Sequence, residues 1–266
     1  MNLALARRPS VVPLEADDAF VTLDGVTKAF GHGESAMTAL ENVSLEMSKG
    51  EFVCILGASG CGKSTLLSLI AGLDTPTSGT IEIADGRPAV MFQDPGLLPW
   101  LTVRRNVELP LRIHKVDADQ RNQTVNRLLS MVGLIDFADH RSHQLSGGMR
   151  QRCALARALA QESELLLMDE PFAALDAITR DQLHDDLNRI WQETGKTIIF
   201  VTHNVREAVR LGDRVVLMTP RPGRVAQTWD VDITRPRELD SFEVSGLASE
   251  ITARLRAGGA PSNGTQ

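Results

Sequence analysis

The chain has no tyrosine and only three cysteines among its 266 residues. It also lacks any apolar run near the roughly 18 residues that a transmembrane helix needs. The cysteines Cys54, Cys61 and Cys153 are odd in number and are not spaced as metal ligands, which indicates free thiols in a reducing compartment. The two arginines near the N-terminus have no apolar segment behind them, so we expect no secretory signal. These absences predict a cytoplasmic protein whose membrane association, if any, goes through partners.

Strong charge of either sign is also absent. The formal net charge is −6, and the 42% hydrophobic and 23% charged fractions are ordinary for a globular protein. Nothing in this balance indicates a nucleic-acid partner. The length predicts one large domain or two smaller ones with a substantial core.

The stretch Gly57–Thr65 fits the phosphate-binding pattern G-x-x-x-x-G-K-[ST], between an apolar strand and a predicted helix. Glycines let backbone N–H groups point at a phosphate, and the helix N-terminus adds partial positive charge. We expect Lys63 to reach the β- and γ-phosphates of a nucleotide and the Ser64 hydroxyl to hold Mg²⁺. A glycine-rich turn with an incidental lysine is the alternative, and the flanking pattern disfavours it. The predicted nucleotide-binding residues here are Gly57, Ala58, Ser59, Gly60, Cys61, Gly62, Lys63, Ser64 and Thr65.

Two later apolar runs also end in polar residues. Residues 165–168 precede Asp169 and Glu170, and residues 197–202 precede His203. Buried strands that alternate with helices predict a parallel α/β sheet, which binds ligands at the carboxyl ends of its strands. We therefore expect these groups to meet the phosphate loop in one crevice. Phosphoryl transfer relies on positioning and charge stabilisation. That chemistry predicts a water-mediated Mg²⁺ site at Asp169, activation of the attacking water by Glu170, and a γ-phosphate contact from His203. Acids and a histidine at ordinary strand ends are the alternative.

Around this core the pattern changes. Alternating residues at 20–30 and 40–47 predict a small antiparallel sheet, and residues 103–138 have the spacing of a helical insertion. Residues 1–18 and 257–266 have no clear period and predict a loose arm and a disordered tail.

A second glycine-containing element, Leu145-Ser-Gly-Gly, precedes a helix predicted for residues 150–160. Ser146 can cap that helix, while Gly147 and Gly148 expose backbone N–H groups to an anion. One nucleotide hardly needs two such elements from one chain. A head-to-tail dimer, in which the Ser146 loop of each copy closes the nucleotide of the other, would use both. A plain helix cap is the alternative.

Over about residues 20–230 the chain resembles the ATP-binding subunits of ABC transporters. The motifs that carry the resemblance are, in order, Gly57–Thr65 (Walker A), Gln93 (Q-loop), Leu145–Gly148 (signature), Leu165–Glu170 (Walker B), Ala174–Asp176 (D-loop) and His203 (H-loop). The resemblance implies a P-loop NTPase (RecA-like) core of α/β class, with an antiparallel β subdomain and an α-helical subdomain. It implies a dimer that sandwiches ATP and Mg²⁺, and hydrolysis that drives a membrane permease. A homodimer is the simpler choice, and a pair with a related subunit is the alternative. Gln93 would contact the metal and take part in catalysis with Lys63, Glu170 and His203.

The same resemblance implies domain limits. The ATPase domain would cover residues 19–235, with its helical subdomain at about 94–160. A C-terminal extension at 236–266 would follow, and its own residue pattern predicts a helix at 247–255. This extension is too short for the regulatory domain that some sugar-importer ATPases carry.

In the family an aromatic residue stacks on adenine about two dozen residues before the phosphate loop. Phe30 matches that position, and the chain has no tyrosine to compete with it. Such stacking contributes about 1 kcal/mol. A core phenylalanine at a strand end is the alternative. Two departures from the family, Met149 after the signature and Asn204 after the H-loop histidine, remove no group assigned to phosphate or metal.

Three short stretches, at 97–100, 191–196 and 220–224, are similar to the importers of nitrate, sulfonates and taurine. Leu97, Leu98 and Trp100 could form an apolar cleft for the permease or fold onto the helical subdomain. The resemblance implies a peripheral subunit on the cytoplasmic side of the membrane, a permease partner and an extracytoplasmic solute-binding protein. The sequence does not identify the solute.

Three other classes of protein share the motifs. A cytosolic ABC-type ATPase of repair or translation usually has a coiled coil or two cassettes, and this chain has neither. An exporter ATPase is disfavoured by residues 97–100. A regulatory module without hydrolysis is disfavoured by Lys63, Asp169, Glu170 and His203.

Overall fold

The structure is a computed structural model that describes residues 19–31 and 36–257. The predicted arm at 1–18, residues 32–35 and all but the first residue of the predicted tail at 257–266 lie outside these ranges. The strands are β1 Ala19–Phe30, β2 Met37–Ser48, β3 Phe52–Leu56, β4 Ser78–Ile83, β5 Ala89–Met91, β6 Leu165–Asp169, β7 Thr197–Thr202, β8 Arg214–Met218 and β9 Val225–Asp230. The helices are α1 Lys63–Ile70, α2 Val103–Ile113, α3 Ala118–Met131, α4 Gly147–Leu159, α5 Ala177–Thr194, α6 Val205–Leu211 and α7 Phe242–Arg256.

The strands form two sheets of different kinds. A three-stranded antiparallel sheet has the order β2-β1-β4, and a six-stranded sheet has the order β5-β6-β7-β3-β8-β9. All neighbours in the larger sheet are parallel except β8 and β9. This architecture confirms the predicted small antiparallel sheet beside a mainly parallel one.

The alternation of side chains along β3 explains how the layers pack. Val53 and Ile55 face the antiparallel sheet and α1, and both side chains are fully buried. Phe52, Cys54 and Leu56 point to the opposite face and pack with the helices. Because both faces are covered, the strand is apolar throughout, as expected for a central parallel strand.

The predicted helical insertion consists of two helices. Residues 103–138 form α2 and α3, followed by a short 3₁₀ turn at Ile135–Phe137. The break lies at Lys115, which has a positive φ of 58°, and Asp117 then caps α3 by accepting a hydrogen bond from the Asp119 N–H. Asn106 is buried in α2 and holds the preceding loop through the Leu98 N–H at 2.8 Å.

The segment after β9 closes over the end of α6. Arg237 is buried and donates hydrogen bonds to the carbonyls of Val209, Gly212 and Val231. These carbonyls include the unpaired C-terminal ones of α6, which need donors when they are removed from water. The helix predicted for 247–255 is present and begins earlier, at Phe242, because Ser241 caps it. No helix in the described part of the chain is long and apolar enough to cross a bilayer.

Candidate functional site

The phosphate loop joins the end of β3 to the first residue of α1. Gly62 caps α1 with a φ of 101°, which only glycine adopts without strain. A Cβ at Gly62 would lie 2.6 Å from the Leu40 side chain and 3.0 Å from the Ala39 carbonyl. The loop therefore needs glycine for its backbone angle and for its close approach to β2.

Lys63 is buried, and its side chain turns back along the loop. Its Nζ donates hydrogen bonds to the Gly57 carbonyl at 2.9 Å and the Ala58 carbonyl at 3.2 Å. The same Nζ lies 3.7 Å from Oε1 of Glu170. The Lys63 ammonium can exchange its hydrogen bonds to these neutral carbonyls for hydrogen bonds to an anion bound in the loop.

Asp169 ends β6 beside the Ser64 hydroxyl, which donates a hydrogen bond to it. Burial raises the pKa of Asp169 above its ordinary value, while the Ser64 hydrogen bond opposes that rise. Among the described residues no group of three or more His, Cys, Asp or Glu side chains is placed to hold a metal. Two oxygen ligands are still enough for Mg²⁺, because this ion keeps waters and uses nucleotide phosphates as further ligands. The donor set of Ser64 and Asp169 therefore fits Mg²⁺.

Glu170 connects the ends of three strands. Its Oε2 is 2.9 Å from Nδ1 of His203, which follows β7, while Oε1 faces Lys63 after β3. Glu170 has a positive φ of 43°, an angle that a non-glycine residue adopts at a cost, and its N–H donates to the Val201 carbonyl. Backbone strain of this kind is typical of functional residues.

A cavity of about 240 Å³ lies against Lys63, Ser64 and Glu170, while Asp169 and His203 lie outside its lining. Phe30 is part of its lining and is 41% exposed, so it is not a core residue. Lys28 Nζ lies 5.0 Å from the centroid of the Phe30 ring. The role of Phe30 in stacking adenine stays a prediction. The cavity is lined by Phe30, Met37, Ala39, Ser59, Gly60, Gly62, Lys63, Ser64, Thr65, Glu170 and Arg221.

Gln93 and the signature residues lie outside this lining. Gln93 follows β5, and its backbone carbonyl accepts a hydrogen bond from Gln151 Nε2 at 3.0 Å. Ser146 caps α4, its Oγ accepting a hydrogen bond from the Met149 N–H, so the helix starts at Gly147 rather than at the predicted Arg150. Gly148 packs against Thr179, where a Cβ would approach the methyl group to 2.4 Å. The roles of Gln93, Ser146, Gly147 and Gly148 at a nucleotide stay predictions.

Asn204 departs from the family pattern but keeps a clear structural role. Its side chain accepts hydrogen bonds from the N–H groups of Arg206 and Glu207, and it thereby caps α6. Asparagine and aspartate are equally good at this position, so the departure preserves the cap directly after His203.

A buried polar network behind His203 was not predicted, because no sequence pattern links its residues. Glu207 accepts hydrogen bonds from Thr202 Oγ1 and from His184 Nε2, the latter at 2.6 Å. His184 is only 2% exposed and packs against Phe172. Because Thr202 and Asn204 flank the histidine, this network fixes the backbone that carries His203. Arg221, Met37 and Ala39 in the cavity lining were also not predicted, although Arg221 lies in a stretch similar to the importers.

Comparison with known proteins agrees with this geometry. A family model described as "ABC transporter" matches residues 40–173. The taurine import ATP-binding protein TauB of Burkholderia thailandensis is 47% identical over 218 residues, 79% of this chain and 84% of that protein. The aliphatic sulfonates import ATP-binding protein SsuB 1 of Burkholderia lata is 46% identical over 260 residues, 96% of this chain and 77% of that protein.

A solved structure is similar to the whole core. It is a dimeric, post-hydrolysis state of the ATP-binding cassette MJ0796 bound to ADP and Pi. The likeness has a TM-score of 0.70 at 37% identity and covers 80% of this chain and 100% of that one. The chain therefore belongs to the ABC transporter family, as one of its ATP-binding, ATP-hydrolysing subunits.

Proposed function

We propose that this chain powers an ABC importer for a small anion such as taurine, a sulfonate, nitrate or a related solute. Two copies sandwich two MgATP, and closure and hydrolysis are coupled to a permease on the cytoplasmic side of the membrane. The observation that carries this proposal is the meeting of Lys63, Glu170 and His203 at the ends of three neighbouring strands. The names of the taurine and sulfonate relatives support the solute class.

Each side chain of the site has its own role in ATP hydrolysis. Lys63 moves its donors from the Gly57 and Ala58 carbonyls to the β- and γ-phosphates. Glu170 accepts a hydrogen bond from the attacking water, and His203 both orients Glu170 and contacts the γ-phosphate. Ser64 and Asp169 would hold Mg²⁺, which would neutralise charge on the phosphates. The Ser146 loop of the second copy closes the nucleotide site on the side of the γ-phosphate.

A wide groove of about 1090 Å³ supports a docking site for the permease. It runs from the turn after α1 to the end of α2, and Leu73 and Phe92 line it with 63% and 52% of their surfaces exposed. Large apolar side chains so exposed are typical of interaction sites. Residues 97–100 had two predicted roles, an apolar cleft for the permease or packing onto the helical subdomain, and their side chains differ in burial. Leu97 packs on the core, whereas Trp100 is 67% exposed. We assign a cytoplasmic segment of the permease to this groove.

Purification of the tagged chain from native membranes in mild detergent tests the importer role. Recovery of a polytopic permease, with a solute-binding protein beside it, is the expected result, and mass spectrometry would identify both. Leu73→Asp and Phe92→Asp should lose the permease while keeping ATP binding. Phe242→Asp is the matched control, since Phe242 is 92% exposed outside the groove. Recovery from the soluble fraction alone would instead favour a cytosolic ABC ATPase.

A further inference from the structure

The loop between β8 and β9 is held against the phosphate loop. Gly223 N–H donates to the Ala39 carbonyl at 2.9 Å, and the Gly223 carbonyl accepts from Glu41 N–H at 3.0 Å. A Cβ on Gly223 would lie 2.1 Å from the Cys61 carbonyl. Thr219 Oγ1 closes the loop internally by donating to the Pro222 carbonyl and accepting from Arg224 N–H. These contacts fix the position of the loop relative to the cavity.

Arg221 projects from this loop into the cavity lining. Its Nε donates a hydrogen bond to the Gly60 carbonyl at 2.9 Å, and its Nη1 lies 3.5 Å from Met37 Sδ. Met37 pairs with Phe30 in the β1–β2 register. The guanidinium therefore bridges the phosphate loop and the end of the β1–β2 pair that presents Phe30.

The charge of Arg221 has no acidic counterpart in the part of the chain that the structure describes. Arg224, three residues later, pairs with Glu41, whereas no described carboxylate lies within ion-pair distance of Arg221. A guanidinium has five N–H donors in a planar fork that suits phosphate oxygens. One donor on Gly60 and one near Met37 leave others available to a ligand.

We propose that Arg221 is a nucleotide-binding residue of this chain, contacting a phosphate of the bound nucleotide. A nucleotide that contacts both Phe30 and Lys63 would lie beside this guanidinium, which touches Gly60 of the phosphate loop and Met37 opposite Phe30. The contact rests on the assignment of ATP to this cavity, which belongs to the proposed function. The alternative is that Arg221 only supports the Gly60 turn, without touching the ligand.

Equilibrium binding of ATP and of adenosine to the full chain in EDTA, which prevents turnover, distinguishes these possibilities. Arg221→Gln should weaken ATP binding roughly ten- to a hundredfold, in line with the loss of a hydrogen bond to a charged group. Adenosine, which has no phosphate, should bind to this variant as it does to the wild type. Arg221→Lys keeps the charge without the fork, so it should recover part of the ATP affinity. Raising the ionic strength should shrink the difference for ATP if the guanidinium meets a phosphate, whereas a variant that only loosens the Gly60 turn should show the same difference at every ionic strength.

Arg224→Gln is the matched control, because Arg224 belongs to the same loop and lies outside the cavity lining. It should leave the affinity for both ligands unchanged. The proposal is overturned if Arg221→Gln binds ATP like the wild type, if it weakens ATP and adenosine equally, or if Arg224→Gln has the same effect. If the wild type itself fails to bind ATP, the assignment of ATP to this cavity is wrong. If the purification recovers no permease, the importer role fails but the Arg221 result still stands.

Discussion

The carboxylate of Glu170 lies 3.7 Å from Nζ of Lys63, the predicted phosphate-binding lysine, and 2.9 Å from Nδ1 of His203. The substitution Glu170→Gln keeps the size of the side chain and removes its ability to accept a proton from water. We expect ATP turnover to be abolished while ATP binding is retained, measured by phosphate release and by equilibrium binding. Hydrolysis near the wild-type rate in this variant would show that Glu170 does not have the assigned role.

Cys153 is fully buried in α4, and burial raises its pKa from an ordinary value of 9.0 to about 12. Above pH 9.0 the unfolded chain therefore releases this proton while the folded chain keeps it. Because the folded state binds the extra proton, stability is lost as pH rises through that range. The free energy of unfolding should fall by about 1.4 kcal/mol per pH unit from this group.

Urea unfolding of the wild type and of Cys153→Ala, at about pH 8 and about pH 10, measures this effect. The wild type should lose about 1.4 kcal/mol more than the variant between the two values. Equal losses would mean that the thiol is as easily ionised in the folded chain as in the unfolded one. Cys54 and Cys61, whose pKa values burial also raises, are common to both proteins and cancel.

At the level of elements, β7, α5 and α6 meet at the His184–Glu207–Thr202 network. Replacing His184 with leucine would leave the buried Glu207 carboxylate with one donor fewer, at a cost of about 1–3 kcal/mol. We expect His184→Leu to lower stability and also to lower kcat, because Thr202 leads directly to His203. His184→Gln can still donate to Glu207 and should recover most of both.

Chemical denaturation and steady-state ATPase assays separate the two effects. The ratio of kcat between the two His184 variants should exceed what their folded fractions explain at the assay temperature. A loss of kcat that follows the folded fraction alone would mean that the network is only structural. Lys49, a surface residue paired with Glu164, offers a control site at which substitution should change neither quantity.

The central strands could be predicted because they are buried on both faces and are apolar throughout. Strands β3, β6 and β7 are each followed by polar residues whose chemical roles can be inferred from the sequence. Because the strands are parallel neighbours, their carboxyl ends, and with them Lys63, Glu170 and His203, were expected to meet. The start of α4 differed from prediction because capping by Ser146 extends the helix through two glycines of low helix propensity. Arg221 and the His184–Glu207 pair could not be predicted, since the partners are separated by 161 and 23 residues and meet only through the fold.

At the scale of the whole molecule, the signature loop does not reach its own cavity. Ser146, Gly147 and Gly148 lie outside the lining that contains Lys63 and Glu170. We expect Glu170→Gln to sediment as a dimer with MgATP and as a monomer without it, because in the proposed sandwich a second copy brings its signature loop to the nucleotide. Adding Ser146→Arg should abolish the dimer and leave ATP binding to the single chain. A dimer that forms equally without ATP would contradict the sandwich.

Strand β3 pairs with β7 on one side and β8 on the other, so the phosphate loop depends on strands that are far away in the chain. Residues 40–173, which the family model matches, contain neither of these neighbours. During synthesis the Walker A residues leave the ribosome early, yet the sheet that holds them closes only after residue 218 has emerged. The nascent chain must therefore remain without a nucleotide site for most of its translation, and its apolar β3 lacks both of its neighbouring strands until then.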